Sequence, residues 1–179
     1  MTGLARPTPY SWSVGDDFTA AIGNNTRDAL LWSQNPPSFV GTQSTVQSIP
    51  NTAWAPLGLD TFQIDSYTGH SNSTNNSRWT CPTGAAGWYL GCGCSAYVPN
   101  ATGFRTARLQ VNGTAVNGAE AYLPNNGGAE SVVVTPTRLI FLNVGDYVEV
   151  ATWQNSGGAL NTSTGGETRS ALFLGFYHA

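Results

Sequence analysis

From about residue 50 to the end of the chain, apolar residues recur at every second position, most clearly at residues 88–98, 107–111 and 147–154. Successive side chains of a β-strand point to opposite faces, so this period predicts strands with one buried face. Turn signals such as Asn112-Gly113 separate the runs at short intervals. The pattern predicts an all-β protein, an antiparallel sandwich of roughly eight to ten strands.

The first part of the chain lacks this alternation. Between Phe18 and Leu30 the apolar residues follow a helical stripe, which Gly-Asn-Asn at residues 23–25 interrupts. We therefore expect one interrupted helix or two short ones in a partly helical arm. Asp16 and Asp17 are the candidate N-caps, because a carboxylate there can accept the free backbone N–H groups of the first turn.

The double proline Pro36-Pro37 ends any helix that precedes it. Residues 43–49 then have the composition of a first strand. These signals predict an N-terminal attachment arm at residues 1–45 and a single β domain at residues 46–179.

The last predicted strand is apolar on both faces. Leu172, Leu174 and Phe176 share one face, and Phe173 and Tyr177 share the other. Antiparallel strands usually keep one face in water, so a strand with two apolar faces needs a second cover. A second copy of the chain is the simplest cover, and we expect the protein to self-associate.

Low charge excludes several classes of function. Charged residues make up 9% of the chain, the net charge is −3, and lysine is absent. Without a basic run, nucleic-acid binding driven by phosphate charge is excluded. No stretch approaches the roughly 18 apolar residues of a membrane span, and the first residues lack the apolar core of a signal peptide. We therefore expect neither membrane insertion nor export by the usual route.

Four segments carry, in this order, the motifs of one known fold. They are Trp79–Pro82 with Gly87–Cys92, Arg105–Gly113, Leu142–Val150 and Ser170–Tyr177. Together they resemble the C1q/TNF-like jelly roll, over about residues 50–179. The resemblance implies an antiparallel jelly-roll sandwich and a homotrimer. Tyr147, Phe173 and Tyr177 are our candidates for the trimer interface.

The arm carries a second resemblance. Trp12–Asp16, Thr19–Ala21, Asn25, Arg27–Ala29 and Pro36-Pro37 are similar to the N-termini of virion proteins in phages of actinobacteria. Those proteins, of the capsid decoration, head fibre or minor tail type, carry a C1q-like domain behind a short attachment segment. The resemblance implies a structural protein of the virion, assembled in the cytoplasm of the bacterial host.

The leading hypothesis is therefore a trimer that decorates and stabilises the capsid. Its arm would bind the major capsid protein or another virion protein. The candidate attachment residues are Trp12, Asp16, Phe18, Arg27, Leu30 and Trp32.

Residues that could support catalysis do not form a constellation. Asp60 and Asp65 stand five apart, which places them on opposite faces of a strand and excludes the facing carboxylates of a glycosidase. The two histidines and three cysteines lack the spacing of a four-ligand zinc site. We expect no enzyme, metal or cofactor. The cysteines are expected to be small buried thiols, although Cys81 could pair with Cys92 or Cys94.

An alternative hypothesis is a receptor-binding module at the tail tip or on a fibre. Trp54, Asp65 and His70 are the candidate contacts with a surface ligand. Loops rich in Asn, Ser and Thr supply uncharged hydrogen-bonding groups, which suits a host surface glycan. An enzyme that degrades cell-wall or capsular sugar is a third, weaker alternative.

Overall fold

The computed structural model describes residues 6–8, 10–125 and 127–178, in which two antiparallel sheets pack face to face. This confirms the predicted all-β sandwich. The elements in chain order are α1 (Ala20–Gln34), β1 (Ser38–Thr42), β2 (Ser48–Ile49), β3 (Ala55–Pro56), β4 (Thr61–Asp65), β5 (Arg78–Thr80), β6 (Gly87–Tyr97), β7 (Phe104–Val111), β8 (Thr114–Pro124), β9 (Ser131–Val134), β10 (Arg138–Leu142), β11 (Tyr147–Gln154), β12 (Leu160–Asn161) and β13 (Ala171–His178).

The first sheet has the strand order β10-β6-β13-β1-β4, and β9 pairs with the far end of β6. The C-terminal strand β13 therefore lies at its centre, between β6 and β1. Strand β1 belongs to this sheet, although it falls within residues 1–45, the range that we assigned to the arm. The rest of that division of the chain stays a prediction.

The second sheet has the order β3-β11-β7-β8, and β5 pairs with β11. Strands β7 and β8 form a hairpin around Asn112-Gly113, both with positive φ, as the turn signal predicted. Of residues 43–49, predicted as a strand, only Ser48–Ile49 is extended and paired, with β12. The side chain of Gln47 is used instead to bind the backbone at Pro56 and Gly58.

The core lies between the two sheets. Trp79, Tyr89 and Tyr97 are fully buried there, and the ring centroids of Trp79 and Tyr89 are 5.4 Å apart. Glycines on β6 let the opposite sheet approach closely. A Cβ on Gly93 would collide with Cγ2 of Val150, so only glycine fits at that position.

Helix α1 runs without a break from Ala20 to Gln34. Its N-cap is Thr19, whose hydroxyl accepts the N–H of Ile22 at 3.3 Å, so the interruption at residues 23–25 and the caps at Asp16 and Asp17 were wrong predictions. Asn25 remains inside the helix and binds the carbonyl of Thr8. In the described part of the chain, no helix is long and apolar enough to cross a membrane.

The turn between β10 and β11 is held by one carboxylate. Gly145 has a φ of +90°, which favours glycine. Asp146 accepts the backbone N–H of Asn143 at 2.8 Å and the side-chain amide of Asn112 at 2.8 Å. These bonds, with the one from Asn112 first, hold the pKa of Asp146 below its ordinary value. The Gly145-Asp146 motif thus has a structural role.

Candidate functional site

The outer face of the first sheet is apolar and partly exposed. Nine large side chains on it are each 37–60% exposed. We call this surface the apolar face, and its exposed members are Ile64, Trp88, Leu90, Val132, Val134, Leu139, Phe141, Phe173 and Tyr177.

The strand register brings these side chains into continuous rows. Ile64, Val40 and Phe173 are direct cross-strand partners on β4, β1 and β13, and Cys92 on β6 follows Phe173. A second row runs from Phe141 through Trp88 to His178. The rings of Phe141 and Trp88 are 5.4 Å apart and meet edge to face.

Charge is nearly absent from the strands that build this face. Their only charged residues are Asp65, the last residue of β4, and Arg138, the first residue of β10. No charged side chain therefore stands within the rows. Burying this surface against a partner would leave no uncompensated charge in the contact.

The apolar face is large enough for a stable contact. At roughly 70 Å² of exposed area per side chain, its nine members offer roughly 600 Å². The largest apolar patch on an ordinary monomer covers about 300–600 Å², and a standard protein interface buries about 800 Å² per partner. The surface is thus at the upper limit for a lone protomer and near the size of an interface.

Of the three candidate interface residues, Phe173 and Tyr177 lie on the apolar face. The ring of Phe173 lies over Gly175, whose missing side chain leaves room for it. Tyr147 lies on β11 of the second sheet, where its ring packs under the Arg78 guanidinium at 4.0 Å. The structure therefore places Phe173 and Tyr177 on one strand of the first sheet and Tyr147 in the second sheet.

The other members of the apolar face were not among the predicted interface residues. Leu139 and Phe141 belong to the run Arg-Leu-Ile-Phe-Leu at residues 138–142. Like the last strand, this run is apolar at both odd and even positions and therefore on both faces. The same signal that singled out β13 was thus present in β10. Apolar residues at consecutive positions indicate a strand that is covered on both faces.

Several attachment candidates form an exposed aromatic group before α1. Trp12 stacks on Phe18 with ring centroids 6.2 Å apart and meets Tyr10 edge to face at 5.1 Å. Asp16 accepts the Tyr10 hydroxyl at 2.8 Å and the backbone N–H of Ser13 at 2.7 Å. Trp12 and Phe18 are both exposed, so an apolar surface is available at this end of the molecule.

The other attachment candidates lie on α1. Leu30 is exposed, and Arg27 forms a surface ion pair with its neighbour Asp28. Trp32 is half-buried and meets Phe176 of β13 edge to face at 4.9 Å. Trp32 therefore fastens the end of the helix to the sandwich.

The candidate ligand residues Asp65 and His70 are bonded within their own loop. Asp65 accepts the backbone N–H groups of Gly69 and His70, both at 3.0 Å, and the Trp79 indole N–H at 3.2 Å. Each ring nitrogen of His70 lies 2.8 Å from a backbone carbonyl, of Arg78 or of Leu59. Their contact with a ligand stays a prediction.

Trp54, the third ligand candidate, lies on the outer side of the second sheet under the guanidinium of Arg108, at 3.8 Å. It is therefore separate from Asp65 and His70. Among the described residues, no three His, Cys, Asp or Glu side chains come together as a metal site. All three cysteines are free; Cys81 is buried as expected, whereas Cys92 and Cys94 are only partly buried.

Comparison of the sequence with protein-family models and with curated proteins finds no match. The fold is similar to that of the globular domain of zebrafish complement 1qA protein, with a TM-score of 0.55 at 16% identity over 80% of this chain and 99% of that one. Murine APRIL at pH 8.0 has a TM-score of 0.56 at 10% identity, over 76% of this chain and 96% of that one. The PRD1 vertex protein, from a phage, has a TM-score of 0.56 at 17% identity, over 78% of this chain and 96% of that one.

These similarities show a C1q/TNF-like jelly roll, the fold implied by the four sequence motifs. The resemblance to virion proteins of actinobacterial phages stays a prediction.

Proposed function

We propose that this chain is a structural protein of a phage virion, a homotrimer that decorates the capsid and binds it through the N-terminal segment. The observation that carries the proposal is the apolar face, a nearly charge-free surface on one side of a C1q/TNF-like jelly roll. The similarity in fold to a phage vertex protein supports a place in the virion.

Self-association accounts for the apolar face. Its rows together span five strands, from Ile64 on β4 to Phe141 on β10, so a partner must cover a broad surface. A second and a third copy of the same sheet offer a surface of the same chemistry. Cyclic symmetry closes such contacts into a finite assembly, with no apolar surface left open at the ends.

The N-terminal segment supports attachment to the particle. Trp12, Phe18 and Leu30 are exposed around α1, although the sandwich itself has a complete core. Because aromatic anchors carry much of the energy of protein interfaces, these side chains are suited to bind the major capsid protein or another virion protein. Binding to the assembled shell but not to its dissociated subunits stabilises the shell by mass action.

The arrangement gives no reason to propose an enzyme. The carboxylates of Asp65 and Asp146 are used to bond backbone N–H groups, and that of Glu149 is buried against Ser77 and Gln110. A carboxylate that holds a turn is not free to transfer protons to a substrate.

The attachment can be tested by deleting residues 1–18, which removes Trp12 and Phe18 but keeps the cap Thr19 and the whole of β1. Purified protein is added back to particles that lack it, and bound protein is measured after sedimentation of the particles. The truncated chain should remain trimeric and no longer bind. The control Val144→Ala removes an exposed apolar side chain from the β10–β11 turn and should bind normally.

Saturation of the particles by the truncated chain, equal to that by the full chain, would show that attachment lies elsewhere. Immunogold labelling separates the capsid role from its alternative, a receptor-binding module on a fibre or the tail tip. Label spread over the capsid supports decoration, and label confined to the tail contradicts it.

A further inference from the structure

A cleft on the outer side of the second sheet has a composition unlike that of the apolar face. Its volume is about 280 Å³, just below the roughly 300–1,000 Å³ of small-molecule sites. We call it the aromatic cleft, and its lining residues are Trp54, Phe104, Thr106, Arg108, Glu120, Tyr122 and Trp153.

Neighbouring strands place the aromatic side chains around the cleft. Thr106 on β7 is the direct partner of Trp153 on β11 and of Tyr122 on β8, so these three side chains form one row. The ring of Phe104 lies 5.0 Å from Trp153 and 5.9 Å from Tyr122. Trp54 closes the opposite side. Four aromatic side chains thus surround a space with room for one small ring.

The polar groups of the cleft come as one cation and one anion. Arg108 stands opposite Glu120 in the β7–β8 register, and its guanidinium stacks on Trp54. The Glu120 carboxylate also faces the Tyr122 hydroxyl, and this interaction raises the pKa of Tyr122. Because the two opposite charges stand side by side, the pair carries no net charge and attracts neither a cation nor an anion on balance. The pair favours a neutral ligand that both donates and accepts hydrogen bonds.

The floor of the cleft holds a polar atom without a partner. Thr106 is 1% exposed, and its hydroxyl has no hydrogen-bond partner among the described residues. Leaving a buried hydroxyl unpaired is costly, so such groups are nearly always bonded to protein, water or ligand. The Nε atom of Arg108 is likewise buried without a partner. Thr106 lines the cleft, so a ligand that enters between the rings is a candidate partner for its hydroxyl.

We infer that the aromatic cleft binds a neutral sugar ring of a glycan. A pyranose presents apolar C–H faces, which pack on aromatic rings, and hydroxyl groups, which both donate and accept hydrogen bonds. Arg108 supplies donors, Glu120 supplies acceptors, and Thr106 supplies a hydroxyl at the floor. This inference does not depend on the oligomeric state or on the position of the protein in a virion.

The test uses the full chain and four uncharged trisaccharides as probes: maltotriose, cellotriose, chitotriose and mannotriose. Binding is measured by quenching of tryptophan fluorescence and by saturation-transfer NMR. At least one probe should bind, and Trp153→Ala should weaken it by about tenfold or more. Thr106→Val, which keeps the shape and removes the hydroxyl, should weaken the same probe by roughly three- to tenfold.

Val144→Ala is the control, because it removes an exposed apolar side chain from the β10–β11 turn, outside the cleft, and should leave the affinity unchanged. If Trp153→Ala does not fold, Thr106→Val and Glu120→Gln serve in its place. The inference is overturned if none of the four probes binds at tens of millimolar, or if the affinity survives these substitutions. It is also overturned if tetramethylammonium or a proline-rich peptide binds the cleft and the sugars do not.

Discussion

Phe173 gives the sharpest test of self-association through the apolar face. It is 42% exposed and lies in the row that joins Ile64, Val40 and Cys92. At about 200 Å² for a phenylalanine side chain, this leaves roughly 80 Å² to be buried by a partner. At about 25 cal/mol per Å², the contact is worth about 2 kcal/mol per protomer.

A trimer holds three copies of this contact, so Phe173→Ala should weaken its assembly by about 6 kcal/mol. That raises the trimer dissociation constant by about 10⁴, since each 1.4 kcal/mol is a factor of ten. The concentration at half dissociation varies as the square root of that constant and should rise about 100-fold. Phe173→Asp should act more strongly, because it places an unpaired carboxylate in an apolar contact.

Sedimentation equilibrium over a dilution series measures this concentration. The control Tyr122→Ala removes a side chain that is 66% exposed on the opposite sheet, and it should leave the assembly unchanged. Thermal melts of both variants show whether the protomer itself is intact. The reasoning is refuted if the wild-type chain is monomeric at micromolar concentration, or if Phe173→Ala dissociates at the wild-type concentration.

Two further predictions concern the stability of the protomer. The pKa of Asp146 in the folded chain lies below its ordinary value of 3.8. The ionised carboxylate therefore stabilises the fold above pH 3.8. This stabilisation is lost as the pH falls through the folded pKa. Asp146→Asn should unfold at lower urea concentration than the wild-type chain at pH 7, and this difference should narrow in acid; a constant difference would contradict the assignment. Arg105 is fully buried and bonds the carbonyls of Asn100, Thr102 and Phe104. Arg105→Met leaves these carbonyls unpaired and should lower the free energy of unfolding by about 2–3 kcal/mol, as measured by urea denaturation. A change below about 0.5 kcal/mol would show that the three hydrogen bonds make no net contribution to stability.

The alternation of apolar residues predicted the sheets well but could not predict which strands are neighbours. Parity showed that Phe173 and Leu174 face opposite sides of β13, and the structure confirms it. Parity carries no information on the sheet to which a strand belongs, which depends on long-range pairing. Tyr147 and Phe173 were grouped as interface candidates without this information; β11 and β13 lie in different sheets, and the place of Tyr147 in an interface stays a prediction.

The alternation of faces along β7 also indicated which of its side chains face the core, although the composition of the strand did not. Ala107 and Leu109 face the core, so Arg105, two residues earlier, must face it as well. Arginine is seldom fully buried, but the loop carbonyls around Arg105 supply the partners that burial requires. The opposite parity places Thr106 and Arg108 on the outer side, where the aromatic cleft forms. Trp153 and Tyr122 lie next to Thr106 and Arg108 because of the register between three neighbouring strands. This register cannot be deduced from the sequence.

The two proposals place their surfaces on opposite sides of the sandwich, and this has a measurable consequence. If the first sheet is buried at the centre of a trimer, the second sheet of each protomer faces outward and exposes its cleft. The trimer should then bind a surface with densely attached sugar far more tightly than it binds free trisaccharide, because the second contact becomes intramolecular. Such gains in affinity reach about 10²–10⁴. Phe173→Asp should keep the affinity for free trisaccharide and lose this gain, as measured by surface binding against solution titration. An equal gain for the dissociated variant would show that the clefts do not act together, and the arrangement of the sheets in the trimer would have to be different.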